Sequence, residues 1–144
     1  MIKIEWSGLT EFLQQFHGIP SDIEQTARTI ITTETEGAAQ EIRQELEHVY
    51  QSRTGNLVNG VRTFYPKGTL YMGIVRNVSP HSHLMEWGTK DRFYGRARRG
   101  KIQQPEPKIT PVIARRRRAR MSRQLVDMLR EMGFEVSGYE ESSA

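Results

Sequence analysis

A stripe of apolar residues between Ile23 and Val49 constrains the fold of this chain more than any other feature. Its members recur three and four positions apart, which is the spacing of one face of an α-helix: Ile23, Ala27, Ile30, Ile31, Ala38, Ile42, Leu46 and Val49. Ser21 precedes the stripe as a helix N-cap, and an acidic first turn suits the helix dipole. At 1.5 Å per residue, the stripe predicts one helix of about 40–45 Å. Gly37 and several threonines weaken its middle, so we expect a bend or a close helix crossing near Gly37.

The rest of the chain predicts shorter elements around this helix. In chain order they are a strand over 2–6, a helix over 9–16, a helical turn from Thr54, a hairpin of strands 61–65 and 70–75, a helix over 80–87, a helix over 109–132 and a final edge strand over 134–136. We expect an α+β fold in which a small antiparallel β-sheet packs on the long helix, together with a C-terminal helix and an extended basic loop. Residues 1–144 form a single domain in this interpretation, with an extended arm over 89–108 and a flexible tail over 137–144.

Composition narrows the class of protein. The chain has 144 residues, of which 36% are hydrophobic, so we expect a modest core. It has no cysteine, which excludes a disulfide framework, a thiolate nucleophile and a Cys-based zinc site. No apolar run is long enough to span a membrane, and the first residues lack the order of a signal peptide. We therefore expect a soluble protein that is not secreted.

The formal net charge of +4 hides an asymmetry along the chain. Residues 1–51 hold three basic and nine acidic side chains, about −6, whereas residues 92–123 hold twelve basic and one acidic, about +11. Such a chain could bind a polyanion or pair head to tail with copies of itself.

Few residues suggest catalysis. His81, His83 and Glu86 resemble a metal or acid–base cluster, but on a helix only His83 and Glu86 share a face. No Gly-rich phosphate loop, nucleophile elbow or paired-carboxylate motif is present. We therefore predict that the protein is not an enzyme and has no catalytic residue, metal or cofactor.

A run of arginines near the C-terminus is the most prominent charge feature. Consecutive arginines on a helix point around its whole circumference, which suits general contact with anions rather than reading of a DNA groove. The candidate interface residues of this run and of the basic loop are Arg92, Phe93, Tyr94, Arg96, Arg98, Arg99, Arg115, Arg116, Arg117, Arg118, Arg120 and Arg123. Three interpretations stay open: a subunit interface that meets acidic neighbours, a phosphate clamp for nucleic acid with Phe93 and Tyr94 stacking on bases, and a solvated helix face. Trp6 and Trp87 are expected to pack in the core or at a sheet edge.

The order of these elements, with three short motifs, resembles a known family. The motifs are Gly8-Leu9, the sequence Thr54-Gly55-Asn56-Leu57, and above all His83-Leu84-Met85-Glu86-Trp87-Gly88-Thr89. They are similar to those of the neck and tail-completion proteins of long-tailed bacteriophages, the family named after gene product ten of phage Hong Kong 97. The resemblance covers about residues 2–135 and assigns Thr54, Gly55, Leu57, Glu86, Trp87, Gly88 and Thr89 to family motifs. The chain departs from the family pattern at residues 50–53 and in its heavier arginine run, and Trp87 stands where a phenylalanine is usual.

The resemblance implies a structural virion protein that joins the phage head to the tail. It implies a homo-oligomeric ring, a hexamer or a dodecamer, with partners in the head-closure or connector protein and in the tail terminator or tail tube protein. Non-specific contact with genomic DNA is an accompanying expectation, as is location in the virion neck after assembly in the host cytoplasm. The alternative function is a nucleic-acid-binding protein that uses the Arg-rich helix 115–123 as a phosphate clamp.

Overall fold

The computed structural model describes residues 21–50, 55–67, 72–94 and 96–136. Their elements are α1 (Ser21–Tyr50), α2 (Asn56–Asn59), β1 (Val61–Phe64), β2 (Ile74–Asn77), α3 (Ser82–Trp87), β3 (Arg92–Tyr94), β4 (Ala97–Gly100) and α4 (Ile109–Glu131). This order confirms the α+β class, with a long helix, a small antiparallel sheet packed on it and a C-terminal helix. The strand predicted over 2–6, the helix over 9–16, the Gly8-Leu9 motif, Trp6 and the tail over 137–144 lie outside the described residues.

Helix α1 follows the predicted stripe over 30 residues. Its buried residues are Ile23, Ala27, Ile31, Glu34, Thr35, Ala38, Ala39, Ile42 and Leu46. The helix continues through Gly37, where the guanidinium of Arg117 from α4 lies so close that an added Cβ would be 2.5 Å from its Nη1. The close contact at Gly37 is therefore with a side chain of α4. Among the described residues, neither long helix has the apolar length needed to cross a membrane.

Two hydrophobic clusters hold α1 against the rest of the chain. One joins the first half of α1 to the C-terminal half of α4 through Ile23, Ala27, Ile31, Met121, Leu125, Met128 and Leu129. The other joins the second half of α1 to the sheet and to the start of α4 through Ala38, Ala39, Ile42, Leu46, Leu57, Val61, Val75, Ile109 and Ile113. The two long helices consequently run antiparallel. Each fully buried Ile or Leu contributes about 1.5–3 kcal/mol, so both clusters matter to stability.

The predicted hairpin is confirmed as the antiparallel pair β1–β2, but its second strand lies later in the chain. The register pairs Val61 with Asn77 and Phe64 with Ile74, so the strand predicted over 70–75 is found at Ile74–Asn77. The sequence prediction followed the apolar run and stopped at the first polar residues. In the structure the polar residues Arg76 and Asn77 pair with Arg62 and Val61 of β1. The Asn77 side chain is held in place because it donates to the Leu57 carbonyl at 2.9 Å and accepts from the Ser79 N–H at 2.9 Å.

Two further segments differ from the predicted pattern. The basic loop contains a second two-stranded ladder, β3–β4, with a bulge between Arg92 and Phe93. The edge strand predicted over 134–136 is wrong, because in the structure these residues belong to no strand and close the end of α4 instead. Gly133 has φ +86°, the Gly133 N–H donates to Arg130, and the Phe134 N–H donates to the Leu129 carbonyl at 3.0 Å. This is the hydrogen-bond pattern of a Schellman helix end.

Candidate functional site: the basic arm and its anchor

Glu86 lies in the segment His83–Thr89 and is buried, with only 4% of its surface exposed. Its carboxylate accepts the Thr110 N–H at 2.9 Å and the Thr110 hydroxyl at 3.1 Å. Thr110 lies in the first turn of α4, where N–H groups have no partner within the helix, and Lys108 at the N-cap supplies no side-chain bond. Glu86 is therefore the cap of α4, delivered from α3, and its negative charge suits the positive end of the helix dipole.

Trp87 is 54% exposed, so the expectation that it packs in the core or at a sheet edge is wrong. The Lys108 ammonium lies 3.6 Å from the centre of its ring, within the range of a cation–π contact. This contact joins the end of α3 to the residue that precedes α4. Trp87 therefore presents a large aromatic surface beside the start of α4.

Gly88 and Thr89 fix the base of the arm, the segment over 89–108. Gly88 adopts φ +73° and ψ 179°, a conformation reached almost only by glycine, and an added Cβ would lie 2.8 Å from the Ile102 carbonyl oxygen. The Thr89 N–H donates to the Ile102 carbonyl at 2.9 Å, and the Ile102 N–H donates to the Thr89 hydroxyl at 3.0 Å. This reciprocal pair holds the outgoing and returning chains together. We call residues 86–89, with their contacts to Ile102, Lys108 and Thr110, the anchor.

The segment Gly55–Leu57 also has a positioning role. Gly55 has φ +65° and begins α2, and Leu57 is buried in the second hydrophobic cluster. The Leu57 carbonyl accepts the Asn77 side chain, so the motif sets the position of the end of β2. Thr54 lies outside the described residues.

The arm extends from the anchor as the hairpin β3–β4, whose strands hydrogen-bond to each other and not to the β1–β2 sheet. Arg96 and Arg98 are exposed at and beside its turn, and Arg98 donates to the Asp91 carboxylate at 2.9 Å. For Arg92, Phe93, Tyr94 and Arg99, the structure describes the backbone, and their side chains lie outside the description. The interface predicted for those side chains stays a prediction.

The arginine run meets acidic residues of its own chain at two positions. Nη1 of Arg117 donates to Glu34 at 2.9 Å, and Nη2 donates to Glu41, which also accepts from Arg116. Glu34 is only 3% exposed, and Gly37 leaves the space that the guanidinium fills. Arg116 and Arg117 thus join α4 to α1 between the two hydrophobic clusters, in a network that we call the Arg117 network.

Ionisation follows from this geometry. Burial disfavours a charged Arg117, but hydrogen bonds to Glu34 and Glu41 outweigh burial and raise the pKa of the Arg117 guanidinium. Burial likewise favours a neutral Glu41, but hydrogen bonds from Arg116 and Arg117 outweigh it and lower the pKa of the Glu41 carboxyl.

The other arginines of the run occupy the outer surface of α4. Arg115, Arg118, Arg120 and Arg123 are exposed. The structure therefore shows that Arg116 and Arg117 of this run bind acidic residues of their own chain.

The histidine cluster considered in the sequence does not assemble. His81 and His83 are exposed, whereas Glu86 is turned inward to Thr110. Across the described residues, no three His, Asp or Glu side chains come together in a way that could hold a metal ion.

Two tyrosines have partners that the sequence pattern did not indicate. The Tyr50 hydroxyl donates to the Met85 carbonyl and links α1 to α3. The Tyr65 hydroxyl donates to Glu36 at 2.9 Å, and burial together with that carboxylate raises the pKa of Tyr65 to about 12.

A groove of about 340 Å³ lies beside the anchor, between α1 and the chain that leads into α4. Glu41, Glu45 and Val49 of α1 line one side, and Glu106 and Val112 line the other. Two cations, Lys108 and Arg116, also line the groove. Val49 is 44% exposed and Val112 is 41% exposed. The groove therefore combines apolar surface with charges of both signs, and Arg116 is already bound to Glu41.

No protein-family model, curated protein or solved structure matches this chain.

Proposed function

We propose that this chain is a structural subunit of a bacteriophage neck, in a homo-oligomeric ring that joins the head to the tail. The observation that carries the proposal is the anchor. Its four residues are the last four of the His83–Thr89 motif. Glu86 and Trp87 contact the start of α4, and Gly88 and Thr89 hold the base of the arm. A subunit of this kind needs a rigid body that neighbours can contact and an arm held at a defined point, and it needs no catalytic residue or cofactor.

The charge distribution supports assembly through unlike surfaces. The acidic side chains belong mainly to the first third of the chain, and the basic ones to the arm and α4. A contact between two different surfaces of one subunit repeats from copy to copy and closes into a ring when the rotation permits. Six or twelve subunits is the number that the resemblance suggests. The connector protein of the head and the tail terminator or tail tube protein are the proposed partners, with genomic DNA as a non-specific contact.

A joining assay tests this function. DNA-filled heads and separately purified tails that lack the neck component are mixed with the purified chain, and joined particles are counted by electron microscopy. We expect joined particles with the native chain and few with a variant in which residues 92–100 are replaced by a short Gly-Ser linker. A chain that leaves heads and tails separate, or that is absent from the joint in images of labelled protein, contradicts the proposal.

The nucleic-acid alternative rests on the exposed arginines of α4. A phosphate clamp would use the exposed side chains of Arg115, Arg118, Arg120 and Arg123. Four phosphate contacts on duplex DNA would give a slope of log affinity against log salt of about −3.6. Affinity at physiological salt with such a slope would favour this alternative over the neck.

A further inference from the structure

We propose that the arm of one copy docks into the groove of a second copy, with the arginines at its turn facing Glu45 and Glu106. This inference rests on the proposed ring, and it names the surfaces that join neighbouring subunits. It is carried by the chemistry of the groove, the chemistry of the arm and their separation within one chain.

Two of the three carboxylates that line the groove form no ion pair within the described ranges, although the cations Lys108 and Arg116 also line it. Glu41 is bound by Arg116 and Arg117, but Glu45 forms no ion pair within the described ranges. Glu106 accepts a hydrogen bond only from the neutral Gln104 amide there, at 3.0 Å. The exposed side chains of Val49 and Val112 line the same groove. The groove therefore fits a segment that combines positive charge with apolar surface.

The arm has the complementary composition. Residues 90–101 contain six basic side chains and a single acidic one, Asp91, together with the aromatic residues Phe93 and Tyr94. Asp91 is bound to Arg98, whereas Arg96 at the turn of the hairpin has no acidic partner in the part of the chain that the structure describes. Arginine and aromatic residues are enriched among the residues that dominate binding at protein interfaces.

The groove is open in the single chain, and no residue of the hairpin lines it. The hairpin of the arm and the groove are also different surfaces, so their contact between copies is heterologous and leaves one hairpin and one groove for the next subunit. Opposite charge across such a contact sets its register and speeds association.

Cysteine cross-linking tests the contact directly, because the chain has no native cysteine. The double variant Arg96→Cys/Glu45→Cys is expected to form a ladder of covalent multimers under mild oxidation, read on denaturing gels without reductant. The matched control is Arg96→Cys/Gln25→Cys, whose second cysteine is also exposed but lies near the opposite end of α1. A several-fold lower multimer yield is expected for the control.

Two further measurements separate the possible outcomes. Mixing the two single variants, Arg96→Cys and Glu45→Cys, should give covalent dimers and no ladder. The yield should fall as salt increases, because exposed charges are screened over roughly 10 Å at 0.1 M salt. The docking would be overturned by a disulfide that forms within one chain, or by equal multimer yields for the Arg96–Glu45 and Arg96–Gln25 cysteine pairs. It would also be overturned if no disulfide forms while the arm binds DNA.

This result is independent of the joining assay. Heads and tails that join while the Arg96–Glu45 pair stays unlinked would overturn the docking and leave the neck function standing. A ladder formed by a chain that joins no particles would do the reverse.

Discussion

At the scale of single residues, the contact between α1 and α4 depends on charges placed where apolar residues are expected. Glu34 follows Ile31 and precedes Ala38 on the buried face of α1, and Arg117 lies between Ile113 and Met121 on α4. Polar residues therefore interrupt both apolar stripes at the same level of the helix pair. Breaking a buried ion pair by removing one partner costs about 3–5 kcal/mol, whereas apolar replacement of the whole set can be neutral. The network thus sets which levels of the two helices face each other more than it adds net stability.

Gly37 should reverse the usual effect of a helix substitution. Gly→Ala inside a helix ordinarily stabilises by about 1 kcal/mol. Here the new methyl would lie 2.5 Å from a guanidinium atom that two glutamates hold in place. We expect Gly37→Ala to lower the free energy of unfolding in the native background and to raise it by about 1 kcal/mol in an Arg117→Met background. Urea denaturation of the native chain, the two single variants and the double variant measures both changes. Equal stabilisation in the two backgrounds would contradict the close contact between Gly37 and Arg117.

At the scale of elements, prediction succeeded where a pattern was long and local. The stripe of α1, the apolar spacing of α4 and its glycine end were sufficient for both helices. It failed where a distant partner decides the outcome. The second strand is placed by the bonds of Asn77 to Leu57 and Ser79, and residues 134–136 fold back onto α4 because Val136 packs against the first hydrophobic cluster.

The stability of the first turn of α4 depends on Glu86, which lies 24 positions before Thr110 in the chain. Removing a helix cap costs about 0.5–2 kcal/mol, and a buried N–H left without a partner costs about 1–3 kcal/mol. We expect Glu86→Ala to destabilise the fold by about 1–3 kcal/mol and Glu86→Gln, which keeps an acceptor, by less. Chemical denaturation measures both, with Glu47→Ala on the exposed face of α1 as the matched control. A loss for the alanine variant no larger than that of the control would mean that Glu86 does not cap α4.

At the scale of the whole molecule, the candidate site was also predictable where it depends on local sequence and unpredictable where it depends on distant contacts. The basic arm and the arginine run were visible because charge is a property of composition. The ion pairs of Arg117 were not visible, because they depend on which side of α4 meets Glu34 and Glu41. One signal was available: Arg117 has the spacing of the apolar residues on either side of it, and an arginine at such a position needs a buried acidic partner.

The stability of the molecule should fall in acid through the Arg117 network. The pKa of Glu41 is below its ordinary value of 4.5, so its contribution to stability is present above that value and is lost as the pH falls through the lower folded pKa. Protonation of Glu41 removes the negative charge that Arg116 and Arg117 share. We expect Glu41→Gln to lower stability at pH 7 and to flatten the decline below pH 4.5, measured by urea denaturation at a series of pH values. If the free energy of unfolding of the Glu41→Gln variant declines in acid as steeply as that of the native chain, Glu41 does not cause the decline.

The bonds between Thr89 and Ile102 also determine what the chain tolerates between them. The backbone enters the hairpin at Thr89 and returns at Ile102, and these two residues are joined by hydrogen bonds of 2.9 and 3.0 Å. A change in the length of the hairpin therefore does not move the helices and the β1–β2 sheet. Doubling the length of such a closed segment adds only about 0.6 kcal/mol of closure cost. The turn at Arg96 is accordingly a natural insertion point, where an epitope or a small reporter domain could be displayed and where related chains can differ in arm length without redesigning the fold.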